Sequence, residues 1–308
     1  MSSVLYDVPG PKAIARNRII GVFTVLLVLA GIAWVVWRLA ETGQFTEKKW
    51  ELFTYSSIWA LFAEATLNTL AAFAAAAVGA LILGFVLAIG RLSDHAWIRL
   101  PVGWIVEVLR AIPVLIFMML LYYGLPVIGI KMTPYWAVVI ALIAYNGSVL
   151  AEVIRAGVES LPRGQSEAGY AIGLRKAGVL RLVLLPQAIR SMMPVIVSQL
   201  VVTLKDTALG FIITFHELLY LVKLLGSNAV YGSPLIPAAL VGGSIYVALC
   251  LALSYVAYLL ERRLKRSERA QHAVDPMHHP VPAGTDTELI ALQKGAGKFD
   301  SNNSGGAF

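Results

Sequence analysis

Ionisable side chains are scarce along much of this chain, and their positions are the first clue to its chemistry. Lys205 and Asp206 adjoin inside a run that is otherwise largely apolar from about Ser191 to Phe215. Glu107 and Arg110 are spaced i,i+3, as are Glu152 and Arg155, and Asn146 lies in another apolar run. Polar and charged groups in such runs are costly unless paired or hydrated, so each marks a solute path or a structural contact. Lys205–Asp206 fits either reading: a polar lining for a charged solute, or an internal ion pair or helix cap. Arg110 and Asn146 carry the same ambiguity. The Glu107–Arg110 and Glu152–Arg155 spacings also suit simple helical ion pairs. No constellation reads as an active site. The single cysteine, Cys250, excludes an intrachain disulfide and a thiolate metal cluster. A phosphate-binding loop is also missing, because Gly295-Ala296-Gly297-Lys298-Phe299 lacks the hydroxyl residue that G-x-x-x-x-G-K-[ST] requires. His272, His278 and His279 read as solvated residues of a polar tail rather than metal ligands.

The elements that must position these groups are membrane helices. The 308 residues are 58% hydrophobic and only 14% charged, against about 25% charged in a soluble domain. A water-soluble enzyme and a freestanding nucleic-acid binder are excluded, and the net charge of +7 has another cause. Six apolar runs approach the roughly 20 residues needed to span a bilayer: Ile19 to Leu39, about Thr66 to Gly90, about Ala111 to Ile130, Pro134 to about Ile154, about Ser191 to Phe215, and Leu235 to Leu260. The first run exceeds a signal-peptide core, has Trp34 and Trp37 at its far end, and lacks an A-x-A cleavage site before Glu41, so it reads as an uncleaved anchor. Ile112-Pro113 is expected to kink the third span, and Tyr122 and Tyr123 to form an outer aromatic belt. Six spans put both termini on one side. That side then receives sixteen Lys and Arg residues, from Lys12 to Arg269, against five on the other: Arg38, Lys48, Lys49, Lys131 and Lys223. The positive-inside bias makes both termini cytoplasmic. The expected class is therefore an all-α integral membrane protein of about six transmembrane helices in the plasma membrane. It divides into a cytoplasmic N-terminus (1–18), an anchor (19–40), an extracytoplasmic segment (41–65), a core (66–260) and a polar tail (261–308) that cannot bury enough apolar surface to fold alone.

One cytoplasmic segment has more texture than a loop. Leu161-Pro162-Arg163-Gly164 signals a turn. Gln165 to Ile172 then reads as a short helix with Glu167 in its first turn, where a carboxylate suits the helix dipole. Gly173 breaks it, Leu174 to Leu185 makes a second helix, and Pro186 ends the unit. Two short helices meeting at a glycine make a compact docking knob.

Glu167-Ala168-Gly169, Gly173, Val183 and Leu185-Pro186 resemble the EAA loop of ATP-binding-cassette (ABC) importer permeases: E-A-A, three residues, G, nine residues, I, one residue, L-P. Gly169 replaces the second alanine and Val183 the isoleucine. Arg110-Ala111-Ile112-Pro113, Ala151-Glu152-Val153-Ile154-Arg155-Ala156-Gly157, Leu161-Pro162-Arg163-Gly164-Gln165 and Leu204-Lys205-Asp206-Thr207-Ala208-Leu209 resemble the polar amino-acid branch of that family. The resemblance spans roughly Thr66 to Leu260. Val4-Leu5-Tyr6-Asp7-Val8-Pro9-Gly10-Pro11, Gly43-Gln44-Phe45 and Lys48-Lys49-Trp50 further resemble the glutamate permeases of actinobacterial importers.

The resemblance implies a type I importer permease core with an extra N-terminal helix. It implies that loop 157–186 docks into a cleft of a cytoplasmic ATPase dimer through Glu167, Ala168, Gly169, Gly173, Leu185 and Pro186. A cap interaction within its own helix is the alternative role for Glu167. The implied partners are that ATPase, a second permease subunit (the same chain or a sister), an extracytoplasmic amino-acid-binding protein and membrane lipid, with no cofactor and no nucleic acid. Hydrolysis then belongs to a separate subunit, and the chain itself is not an enzyme. Lys205, Asp206, Arg110 and Asn146 become candidates for the substrate path. An ion-coupled carrier is the alternative. It would require charges near the midplane of several spans, and the spans here are mostly clean. A non-transporting scaffold would leave the EAA-like loop unexplained.

Overall fold

The computed structural model describes residues 10–272. The described residues up to Ala257 form one unit, and those from Tyr258 belong to a second; all packing described below lies within the first. Among the described residues every regular element is a helix. The long ones are α1 (Pro11–Glu41), α3 (Ser56–Arg91), α6 (Pro134–Glu159), α9 (Leu185–Asp206) and α11 (Leu235–His272), with α2 (Glu47–Trp50) a single turn. Between them lie α4 (Ala96–Ala111), α5 (Val114–Met119), α7 (Arg163–Ala171), α8 (Lys176–Gly178) and α10 (Leu218–Gly226). Five helices are long and apolar enough to cross a membrane, or six if the bent pair Ala96–Ala111 and Val114–Ile128 is one span.

The core is α3 on α6. The buried positions of α3 include Ala72, Ala76, Ala80, Gly84 and Ala88, a stripe of small residues at intervals of four that lies along one helix face. Lipid is as apolar as leucine, so membrane helices associate largely by close van der Waals fit, which small residues permit. Gly84 shows how close that fit is: a Cβ there would sit 2.8 Å from Leu150 Cβ and 3.0 Å from the Gly147 carbonyl of α6. The facing positions Ala137, Val138, Ala141, Leu142, Leu150 and Ala151 are buried. The start of α6 is fixed by Pro134 in its first turn and by Thr133, whose hydroxyl accepts a hydrogen bond from the Trp136 N–H at 3.3 Å.

Four features depart from the sequence expectation. The second span begins at Ser56, ten residues before the apolar run, because Leu52, Phe62 and Ala65 pack with Leu218, Leu221 and Val222 of α10 and so order the start of α3. The third span is broken rather than kinked: α4 and the stretch from Val114 meet at 95° across Ile112–Pro113, where the proline has no N–H to continue the ladder. Pro186 ends nothing. A π-helical turn over Val179–Leu184 leads directly into α9, with Pro186 in its first turn. The wider turn suits a proline that lacks an N–H and crowds the carbonyl four residues back. The helix that ought to end near Leu260 runs on to His272. Asp7, His278, His279 and the Gly295–Phe299 fragment lie outside the described residues.

α1 stands apart, with no buried residue along its 31-residue length. That surface is what a helix facing hydrocarbon presents.

Candidate functional site: the α7 knob and the polar nodes near it

The knob expected from the sequence is α7 followed by a tight turn. α7 starts at Arg163, so Glu167 sits past the first turn and no acidic residue occupies that turn. The expected helix-dipole and capping role for Glu167 is therefore corrected. Its side chain is exposed, as is Ala168, while Gly169 is the one buried residue of α7. A Cβ at Gly169 would lie 2.9 Å from Val179 Cγ2, so the glycine lets α7 rest directly on the π-helical turn. Gly173 adopts φ +84°, a left-handed conformation that glycine takes without steric cost. This turn reverses the chain after α7 and leaves Tyr170 (48% exposed) and Ile172 (77% exposed) on the outer surface. The E-A-A, G and L-P positions alone do not point to these two apolar side chains.

The knob is tied to the bundle. Leu161, Leu180 and Leu184 pack with buried Val158, Leu185 and Ala188. Gln187 of α9 donates from its Nε2 to Gln165 Oε1 of α7 at 3.2 Å. Lys176 pairs with Asp94 in the turn between α3 and α4, and its ammonium, hydrogen-bonded to that carboxylate, holds Asp94 below the ordinary carboxylate range. Nearby, Glu152 bridges two helices. It accepts from Arg91 Nε of α3 at 2.9 Å and from Arg155 Nε of its own helix at 2.9 Å. Arg155 also reaches Glu159. Thus the anticipated Glu152–Arg155 pair is present but extends to α3. Arg91 entered the sequence reading only as one positive-inside charge, since a contact across 61 residues has no local spacing signal.

The remaining candidates separate. Asn146 is 0% exposed. Its Oδ1 accepts from Gln199 Nε2 of α9 at 2.7 Å and its Nδ2 donates to the Leu142 carbonyl at 3.0 Å. It ties α6 to α9 and lines neither cavity described below. Arg110 lies at the end of α4, exposed, 3.7 Å from Glu107. Lys205 is exposed and Asp206 half-buried. The internal ion pair considered for them is not formed, because consecutive helical residues do not face each other. Among the described residues neither belongs to an ion pair. Instead Lys205 lines a cavity of about 430 Å3 with Ala208, Leu219, Tyr246, Val247, Cys250 and Leu251. Tyr122 and Tyr123 form an edge-to-face pair with ring centroids 4.8 Å apart.

Geometry therefore links an exposed knob to a cavity that holds a lysine by one continuous element, since the chain from Lys176 to Ile213 passes as a single span. The 22 residues of α9 cover about 33 Å at helical rise. No side-chain cluster capable of covalent chemistry lies along it, and no group of residues that could hold a metal ion occurs among the described residues.

Residues 80–266 match the family described as binding-protein-dependent transport system inner membrane component. The chain is 33% identical over 255 residues to the glutamate transport system permease protein of Corynebacterium glutamicum, covering 81% of this chain and 92% of that relative. It is 30% identical to the glutamine transport system permease protein of Escherichia coli (69% and 98% covered) and 32% identical to the arginine transport system permease protein of Bacillus subtilis (62% and 87%). Among solved structures, an amino-acid ABC transporter superposes with a TM-score of 0.61 at 30% identity, covering 69% of this chain and 98% of that one. A methionine ABC transporter in inward-facing conformations shares the fold, with a TM-score of 0.58 at 17% identity. The chain belongs to the binding-protein-dependent transport system inner membrane component family and is a permease subunit of an amino-acid ABC importer, a transport subunit rather than an enzyme.

Proposed function

We propose that this permease imports an acidic amino acid, glutamate first among them. The observation that carries the reading is its 33% identity to a glutamate permease across 92% of that relative. The glutamine and arginine permeases match over smaller shares of this chain. The N-terminal resemblance noted from Val4 to Pro11 and from Gly43 to Trp50 points the same way, and the Lys205 ammonium in the larger cavity supplies a charge that offsets a second substrate carboxylate. The ion-coupled carrier finds no support among the relatives.

In this reading the exposed face of α7, with Glu167, Ala168, Tyr170 and Ile172, docks on a cytoplasmic ATPase. Gly169 and Gly173 give the knob its shape, while Leu185 and Pro186 join it to α9. Nucleotide-driven closure of the ATPases moves the knob, and α9 carries that movement toward Lys205 and Asp206, a two-state element biased by nucleotide. A second permease subunit completes the pore, a binding protein delivers substrate from outside, and both termini face the cytoplasm.

Gly173→Asp tests the coupling role. A side chain at φ +84° is strained wherever it points. The variant should insert and assemble while losing uptake and substrate-stimulated ATPase activity. Normal stimulated ATPase in the reconstituted complex would refute the assignment.

A further inference from the structure

Glu217 has no place in the coupling pathway described above, yet among the described residues it is the most completely buried charged residue. It is 0% exposed and stands between the 3-10 turn Thr207–Ile213 and α10. Its two carboxylate oxygens accept three hydrogen bonds. Oε1 takes the Tyr220 N–H at 2.7 Å, and Oε2 takes the Leu219 N–H at 2.7 Å and the Tyr246 hydroxyl of α11 at 2.8 Å. The same end of α10 is held from the other side by α3. The Leu218 N–H donates to Thr69 Oγ1 at 3.2 Å, and Asn68 Nδ2 donates to the His216 carbonyl at 3.0 Å. The Thr207 hydroxyl lies 3.5 Å from that of Tyr246. A carboxylate is not needed to start a nine-residue helix, since a serine or asparagine does this well. What the longer, charged side chain adds is reach to α11.

Two further features mark this node. Thr214, three residues upstream, holds φ +62°, a strained conformation for a β-branched residue that persists only where surrounding contacts impose it. The Tyr246–Glu217 bond also stands between two cavities. Glu217 lines one of about 190 Å3 with Asn68, His216 and Tyr220. Tyr246 lines the 430 Å3 cavity that contains Lys205. Hydrogen bonds between elements can be exchanged for others as helices move, whereas interlocked side chains must be unpacked.

We infer that Glu217 and Tyr246 form a latch that fixes α10 between α3 and α11 and separates the two cavities, and that opening this latch is a step of alternating access. Both are positioning residues: they act by setting where α10 stands. The inference rests on the transport reading, but its primary test does not require transport. In a Cys250→Ala background, Ala208→Cys places a single thiol on the wall of the larger cavity. The assembled complex is labelled with a water-soluble thiol reagent, with and without Tyr246→Phe, which deletes one hydroxyl and leaves the ring. The latch predicts labelling at least several-fold faster in the Phe variant at equal assembly. It also predicts a lower ratio of substrate-stimulated to basal ATPase activity. Glu217→Gln keeps the side-chain length and one good acceptor, and should fall between parent and Tyr246→Phe. Parental labelling rates in both variants, or in whichever one assembles, would overturn the latch. Failure of the parent complex to take up an acidic amino acid would instead count against the substrate assignment and leave the labelling comparison intact.

Discussion

The fit of α7 on the turn beneath it makes Gly169 the most informative residue of the knob. A single added methyl would place its carbon 2.9 Å from Val179 Cγ2, so the valine end must yield by a few tenths of an ångström. Replacing glycine inside a helix by alanine returns about 1 kcal/mol of backbone preference, which offsets that small displacement. Gly169→Ala should therefore couple nearly normally, consistent with the alanine expected at this position from the EAA resemblance. Gly169→Leu has no such accommodation. Overpacking a close contact costs about 1–3 kcal/mol, and each 1.4 kcal/mol is tenfold in an equilibrium. The docked arrangement of α7 should thus be depleted by roughly 5- to 150-fold relative to undocked ones. The assay is substrate-stimulated ATPase activity and uptake by the reconstituted importer, each normalised to assembled complex. Val179→Ala added to Gly169→Leu should recover part of the loss, since it removes the methyl groups being struck. Full activity of Gly169→Leu, or absence of any recovery in the double variant, would refute the proposed seating of the knob.

Lys205→Ala should reduce glutamate uptake per assembled complex more than it reduces assembly, because the ammonium lines the cavity without an ion-pair partner among the described residues; parental uptake would remove Lys205 from the substrate path. The further replacement of Asp206 should not restore uptake, since the two side chains form no pair, and recovery in that double variant would favour a structural role. In a Cys250→Ala background, Thr46→Cys should react with an impermeant thiol reagent in intact cells, while His95→Cys, in the turn between α3 and α4, should need a permeant one. The reverse pattern would invert the topology.

Much of the fold was legible because a bilayer imposes simple rules. Apolar run length gave spans near their observed positions, and the Pro113 and Gly173 signals marked real breaks in the chain. Two of the errors have identifiable physical causes. Ser56–Thr66 is helical because Leu52 and Phe62 pack on α10, and Pro186 lies inside a helix because the turn before it widens. Tertiary contact decides the first, and local backbone geometry the second. The site divides in the same way. Motif residues such as Glu167 and Gly173 lie six positions apart and could be read there. Arg91–Glu152, Asn146–Gln199 and Glu217–Tyr246 join residues 61, 53 and 29 positions apart, and neither helical nor strand periodicity relates such positions. Gly169 illustrates the middle case: the sequence showed a departure from alanine, and only the Val179 contact gives it a reason.

The central claim is that this permease moves an acidic amino acid by work done on its cytoplasmic knob. The most direct measurement is uptake of labelled glutamate into vesicles containing the permease with its ATPase and binding protein, with glutamine, arginine and cystine as competitors. The account predicts uptake that requires ATP and the binding protein, is insensitive to dissipating ion gradients, and is suppressed by glutamate well before the other three. Uptake that persists without ATP, follows an ion gradient, or is suppressed first by arginine would contradict it.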